Sequence, residues 1–155
     1  MKPKFMPSCG LFLATAAVAT VSVVFDVARA REPLVRFTPL FSTSKTVMDE
    51  TIVYPTETPA KLTGAIIALA SGDETGWHIH GAPLTGIVLE GELTVDYGPR
   101  GTRTYRQGDA IAEAIKVPHN GKNTGDGLMR LFVVTIGAEG LQNSIPVAPP
   151  PKPAQ

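Results

Sequence analysis

From residue 34 to residue 136 the chain is a succession of short apolar and β-branched runs. Glycine, proline, aspartate and asparagine separate them. The runs expected to be strands are residues 34–41, 62–70, 77–80, 84–89, 92–97, 102–106, 109–114 and 128–136. Between them lie Ser71-Gly72-Asp73, Gly81-Ala82-Pro83, Glu90-Gly91, Gly98-Pro99-Arg100-Gly101, Gln107-Gly108 and Thr124-Gly125-Asp126-Gly127. Short runs at regular spacing, each bounded by turn residues, predict an all-β sandwich or barrel. The alternation is cleanest at Glu92-Leu93-Thr94-Val95-Asp96-Tyr97, where Leu93, Val95 and Tyr97 fall on one face. No helical stripe longer than about two turns follows residue 30, and no internal repeat is present, so one barrel is expected rather than two.

The two ends of the chain break this pattern. Lys2 and Lys4 precede an uncharged, Ala/Val-rich run over residues 11–25, and Ala28-Arg29-Ala30 then places small residues where a signal peptidase reads. That run is shorter than the ~20 residues a membrane-spanning helix requires and stops at Asp26. Residues 1–30 are therefore expected to be a cleavable signal, leaving no stable membrane anchor and an exported protein, periplasmic or secreted, that begins near Arg31. Cys9 precedes the apolar run, the wrong side for lipoprotein processing. At the other end, residues 146–155 are rich in proline and are expected to form an extended, solvated tail. Residues 31–145 remain for a single barrel, and the 155-residue length is too short for two comfortable cores.

Composition narrows the chemistry. The chain carries 14 Lys+Arg against 14 Asp+Glu, with no basic stripe and no glycine-rich phosphate loop ahead of a helix, so nucleic-acid and nucleotide binding are not expected. Its one cysteine lies in the candidate signal. The barrel then has no disulfide, no thiolate nucleophile and no thiolate metal ligand.

All three histidines, His78, His80 and His119, fall in the barrel. Two residues apart on a strand, His78 and His80 present both imidazoles on one face with Ile79 on the other. A rigid backbone holding neutral nitrogens about 2 Å from one ion is what a metal site needs. An H-x-H pair by itself is also common among surface and hydrogen-bonded core histidines.

Gly72, His78-Ile79-His80 and Gly91 resemble the first motif of the cupins, G-x5-H-x-H-x3,4-E-x6-G. Gly108-Asp109, His119 and Asn123 resemble the second, G-x5-P-x-G-x2-H-x3-N. The resemblance spans about residues 72–123. It implies a double-stranded β-helix, the jelly-roll barrel, with the site inside and with His78, His80 and His119 as ligands to one divalent transition metal ion: iron, copper, nickel, manganese or zinc. The family's glutamate ligand falls on Leu84, or on Thr85 by the longer spacing, and neither replaces a carboxylate. The second motif's proline and glycine are Ala114 and Lys116. What remains is a three-histidine face, similar to cysteine-dioxygenase-like and diketone-cleaving cupins. A neutral ligand set leaves the ion's charge uncompensated, which favours anionic or chelating small molecules.

Among the other residues, Glu113 is the candidate acid-base group, as a base near the metal or a remote ligand, against the plainer expectation of a salt bridge. Leu84, Gly86 and Val88 are expected to line the pocket. Asn123 suits a backbone-satisfying role, and Glu90 and Glu92 suit a solvated hairpin. Two functions stay open: a metal-dependent, dioxygenase-like enzyme or lyase acting on a small chelating or anionic substrate, and a non-catalytic cupin that binds a metal or small ligand. By analogy with other cupins a homodimer is expected.

Overall fold

Alternating burial along the strands decides which side chains reach the interior. The structure, a computed structural model, describes residues 37–56 and 59–151. The candidate signal, residues 34–36 of the first expected strand and the last four residues of the tail lie outside the described residues. Among those described, nine strands form: β1 (Ala60–Leu69), β2 (His78–His80), β3 (Leu84–Glu90), β4 (Glu92–Asp96), β5 (Thr102–Arg106), β6 (Ala110–Ala112), β7 (Asn120–Asn123), β8 (Met129–Ala138) and β9 (Ser144–Pro146). They pair in three antiparallel sheets, ordered β1-β8-β3-β6, β2-β9 and β5-β4-β7. The result is the expected all-β jelly-roll barrel, with no α-helix among the described residues.

Leu93, Val95 and the adjoining Tyr97 point inward from β4, and Met129, Leu131 and Val133 point inward from β8; all six are buried. With Val88, Ile111 and Ala114 they form the apolar core. The β3–β4 hairpin turns at Gly91, whose φ of 75° lies in the left-handed region. A side chain there would press on the Leu128 carbonyl. Residues 44–52 form a small loop closed by the Lys45–Thr51 bridge. It docks on the barrel through Val47 N–H to the Ala112 carbonyl (2.7 Å) and inserts Met48 into the core.

The structure corrects several expected boundaries. Residues 37–41 are not a strand, and Phe37 stands 91% exposed. Strands β7 and β9 were not expected. Asn-Gly-Lys-Asn has poor strand propensity but is held in register against β4, Asn123 opposite Leu93 and Gly121 opposite Val95. Strand β9 runs one residue into the expected tail, pairing Pro146 with His78. The proline lacks an N–H, yet the ladder resumes at Val147, whose N–H reaches the Trp77 carbonyl (3.0 Å).

Candidate metal centre

The three histidines meet because β2 is held on both sides. On one side β9 pairs with it along its length. On the other, His78 and His119 exchange both backbone hydrogen bonds (2.9 and 3.0 Å), and His80 N–H reaches the Ile115 carbonyl (2.8 Å). Two of the histidines are thus direct cross-strand neighbours, and the third lies two positions along the same strand as His78. Their ring centroids are 4.4–5.0 Å apart. One nitrogen of each ring lies within 4.8 Å of the others.

The hydrogen bonds of the opposite ring nitrogens fix the chemistry of these three. Nδ1 of His78 is 2.8 Å from the Gly76 carbonyl, Nδ1 of His80 is 2.9 Å from the Asn143 carbonyl, and Nδ1 of His119 is 2.9 Å from the Val117 carbonyl. A carbonyl oxygen only accepts, so each Nδ1 carries a proton and Nε2 is the nitrogen left to ligate. Nε2 of His80 and Nε2 of His119 then face each other at 3.2 Å with no proton between them. Two lone pairs at that distance repel, and a cation between them removes the repulsion. Nitrogens bound at 2.0–2.1 Å are about 2.8–3.0 Å apart in octahedral and about 3.3–3.4 Å apart in tetrahedral geometry, so the His80–His119 pair has the spacing that a shared transition ion requires. Burial depresses His80 and His119 to about 4, which keeps both rings neutral and free to ligate near pH 7.

The rings open on a cavity of about 50 Å3, walled by apolar side chains that include Leu84, Leu93, Met129 and Val133. That volume suits a handful of water-sized groups, far below the several hundred Å3 of a pocket for a drug-sized ligand. Of the three expected pocket residues, Leu84 lines this cavity. Val88 is instead packed in the core. The space a side chain would take at Gly86 is filled by Leu131 and Val133 and by the Phe132 carbonyl.

Glu113 also lines the cavity and is 7% exposed. In place of a salt bridge, its Oε1 accepts from the Tyr97 hydroxyl (2.8 Å) and the Ala114 N–H (2.7 Å). Its other oxygen has no hydrogen-bond partner among the described residues. Burial pushes this carboxyl above the usual range, against the pull of those two bonds. Glu113 lies outside the cluster of nitrogens that converge on one point.

Other acidic residues have structural duties. Glu50 receives the N–H groups of Ile115 and Lys116 (2.7 and 2.6 Å), which clamps the segment leading to His119. Glu92 pairs with Arg106 at the surface. The buried Asn123 amide spans Leu69, Gly125 and Gly127 backbone groups, the backbone-satisfying role its position suggested. Thr75 was not foreseen at the cavity, nor Tyr97 as the donor that holds Glu113. For Tyr97 the signal was present, since it shares the inward face of Leu93 and Val95.

Residues 65–135 match the family described as "Cupin domain". No curated protein sequence matches the chain. Among solved structures the chain is similar to a sugar phosphate isomerase of the cupin superfamily from Silicibacter pomeroyi, at 22% identity and a TM-score of 0.42, over 48% of this chain and 50% of that one. It is similar to the oxalate decarboxylase of Lactobacillus farciminis, in its formate complex, at 19% identity and a TM-score of 0.49, over 56% and 26%. It is also similar to a cupin domain from Bordetella pertussis, at 23% identity and a TM-score of 0.42, over 54% and 99%. The chain therefore spans half the length of the isomerase and about a quarter of the decarboxylase.

Proposed function

We propose, from the match of residues 65–135 to the cupin domain, that this chain is an exported, metal-dependent enzyme, an oxygenase or lyase, acting on a small anionic or chelating substrate. One observation carries the reading. Three Nδ1 atoms are tied to backbone carbonyls, which leaves the Nε2 atoms to ligate, and one nitrogen of each ring lies within 4.8 Å of the others beside an apolar-walled cavity.

His78, His80 and His119 are the residues that hold the ion. When bound, a divalent transition metal supplies Lewis acidity and open coordination positions for an anionic oxygen donor. The chain's other groups do the rest. Leu84, Leu93 and Val133 exclude water, which strengthens any electrostatic contact made inside. Glu113 holds or accepts the proton that the reaction moves, and Tyr97 fixes its orientation through Oε1. Leu84 stands where the family's carboxylate ligand would be, so an anionic substrate is not repelled there.

The alternative is a non-catalytic cupin that holds a metal or a small ligand. The scarcity of acid-base groups favours it, since among the described residues Glu113 is the one carboxylate lining the cavity.

Export rests on Lys2, Lys4, the apolar run over residues 11–25 and the Ala28-Arg29-Ala30 site. N-terminal sequencing of the protein recovered outside the cytoplasm is expected to begin at Arg31; a sequence beginning at Met1 overturns it.

Elemental analysis of the protein from the compartment where it folds tests the central reading, beside a His78→Ala/His119→Ala variant. Near-stoichiometric iron, copper, nickel or manganese, absent from the variant, is the expected result, followed by turnover of small chelating acids with or without oxygen uptake. Stoichiometric zinc with no turnover favours the binding role. No metal in a fully folded wild type overturns the site.

A further inference from the structure

The cavity beside the histidines is lined by two unlike groups of residues. Its titratable side chains are His78 and His80 from β2, His119 next to β7, and Glu113 just after β6. The four-stranded sheet contributes Ile67 from β1, Leu84 from β3, and Met129, Leu131 and Val133 from β8. That wall brings hydrocarbon and one thioether, and no group able to hydrogen-bond a ligand strongly. Thr75 adds a hydroxyl, but it is already engaged. Its oxygen accepts from the Gly121 N–H (2.9 Å) and its O–H donates to the Gly76 carbonyl (3.2 Å). Among the described residues no lysine or arginine lines the cavity. A ligand therefore finds partners for one polar head, and a second charged group would be buried without a partner.

Size narrows the choice further. A cavity of about 50 Å3 has room for roughly three to five water-sized groups. A carboxylate with a one- or two-carbon tail fills it, whereas an aromatic ring or a longer chain does not. We infer that the site takes a short, unbranched aliphatic monocarboxylate of about two or three carbons, its carboxylate toward the histidines and its tail against the β8 wall, and that Gly121 and Leu84 set the length accepted. This rests on the metal reading above, because neutral imidazoles without an ion offer an anion no charge.

The role of Gly121 follows from its register. It lies opposite Val95 on the β4–β7 ladder, and both residues are buried. Opposite residues share a face, so a side chain at 121 projects into the barrel. A Cβ there would stand 3.2 Å from Cδ1 of Leu93 and 3.5 Å from the Thr75 methyl, two residues that line the cavity. Gly121 is not among the glycines held at positive φ, so the backbone does not demand a glycine here. Its missing side chain is what leaves the space open. Leu84 bounds the cavity from the other sheet and is half-buried, so shortening it extends the room for a tail.

Calorimetric titration of the ion-loaded protein with acetate, propionate, hexanoate, catechol and propionamide tests the inference, with metal content measured on the same samples. Acetate and propionate are expected to bind about 10-fold or more tighter than the other three, the scale on which an apolar pocket discriminates by size. Gly121→Ala is expected to weaken propionate by about 10-fold with the ion retained. Leu84→Ala is expected to bring hexanoate to within a few-fold of propionate, and it serves also if Gly121→Ala fails to fold. Hexanoate or catechol binding the wild type as tightly as propionate overturns the inference and leaves the metal site standing. Failure of both short acids to bind a protein that holds its ion does the same. Propionamide matching propionate would remove the requirement for an anion, and Gly121→Ala and Leu84→Ala both matching the wild type would remove the two residues as the limit on length. A wild type that takes up no ion overturns the metal reading and this inference together.

Discussion

Each histidine is poised by a backbone carbonyl, and among the described residues none by a side-chain carboxylate. The histidine cluster was legible in the sequence because H-x-H on a strand and a third histidine at the right interval leave a residue-level trace. Gly76, Val117 and Asn143, which set the tautomers, left none, because any residue supplies a carbonyl. The same holds for the pocket. Leu84 was foreseen from its place in the motif, but whether Gly86 and Val88 faced open space depended on Leu131 and Val133, far along the chain. Two predictions belong at this scale. In the metal-free protein His80 and His119 are depressed from 6.5 to about 4 by burial. Between those pH values the unfolded chain binds more protons than the folded one, so stability is present above about 6.5 and is lost as pH falls toward about 4. Glu113 is shifted the other way and acts with opposite sign. Subtracting the urea midpoints of a His80→Asn/His119→Asn variant from those of the wild type, pH by pH, is expected to isolate the imidazole loss; a flat difference refutes it. Tyr97→Phe removes one of two donors to a buried carboxyl and is expected to cost about 1–3 kcal/mol in urea denaturation, with metal content unchanged. Glu113→Gln can still accept from Tyr97 and is expected to cost less. A larger loss from Glu113→Gln would mean that the carboxylate form is the one the fold needs.

At the scale of elements, strands with strict alternation were readable and strands made by pairing were not. Strand β4 has polar residues outside and Leu93 and Val95 inside, so its direction is written in its sequence. Strand β7 exists because β4 offers an open ladder, and β9 because β2 does. Neither Asn-Gly-Lys-Asn nor Ser-Ile-Pro has the composition to announce a strand alone. Yet β9 and the residue before it reach the site most directly, through the Asn143 carbonyl that holds His80. Gly81 makes that approach possible, since a side chain at residue 81 would collide with the Gln142 carbonyl. Gly81→Ala is therefore expected to push the C-terminal segment away and free the His80 ring. The loss should be about 1–3 kcal/mol of stability from the forced backbone shift. Metal affinity should fall about 10–100-fold, the usual cost of removing a group that orients a ligand. Competition titration against a chelator reads the affinity. An unchanged value would show that the β9 side of β2 does not orient the ligand.

For the molecule as a whole, the barrel is legible as a class and its surface is not. Strand β8, Met-Arg-Leu-Phe-Val-Val-Thr-Ile-Gly-Ala, is apolar at consecutive positions, so alternation cannot say which half faces out. Only its register between β1 and β3 turns Phe132, Val134 and Ile136 to the exterior. The same ladders tie the site to the fold globally, because His78, His80 and His119 are brought together by pairings between residues about 40 and 65 positions apart in sequence. Converging lone pairs cost the metal-free fold free energy that a bound cation returns, and the unfolded chain has no such site. Metal binding is then coupled to folding of the entire barrel. An ion at about 100 times its dissociation constant stabilises a one-site protein by about 2.7 kcal/mol. For a domain of this size that is a rise in Tm on the order of 10 °C. Calorimetry of the chelator-treated protein, with and without added ion, is expected to show this rise in the wild type and none in His78→Ala/His119→Ala. Ile66→Lys/Phe132→Glu, altered only on the outer face, should keep the full metal-dependent shift. A rise that survives removal of the two histidines would place the ion elsewhere on the protein, and a wild type indifferent to every divalent ion tried would leave the cavity to a metal-free ligand.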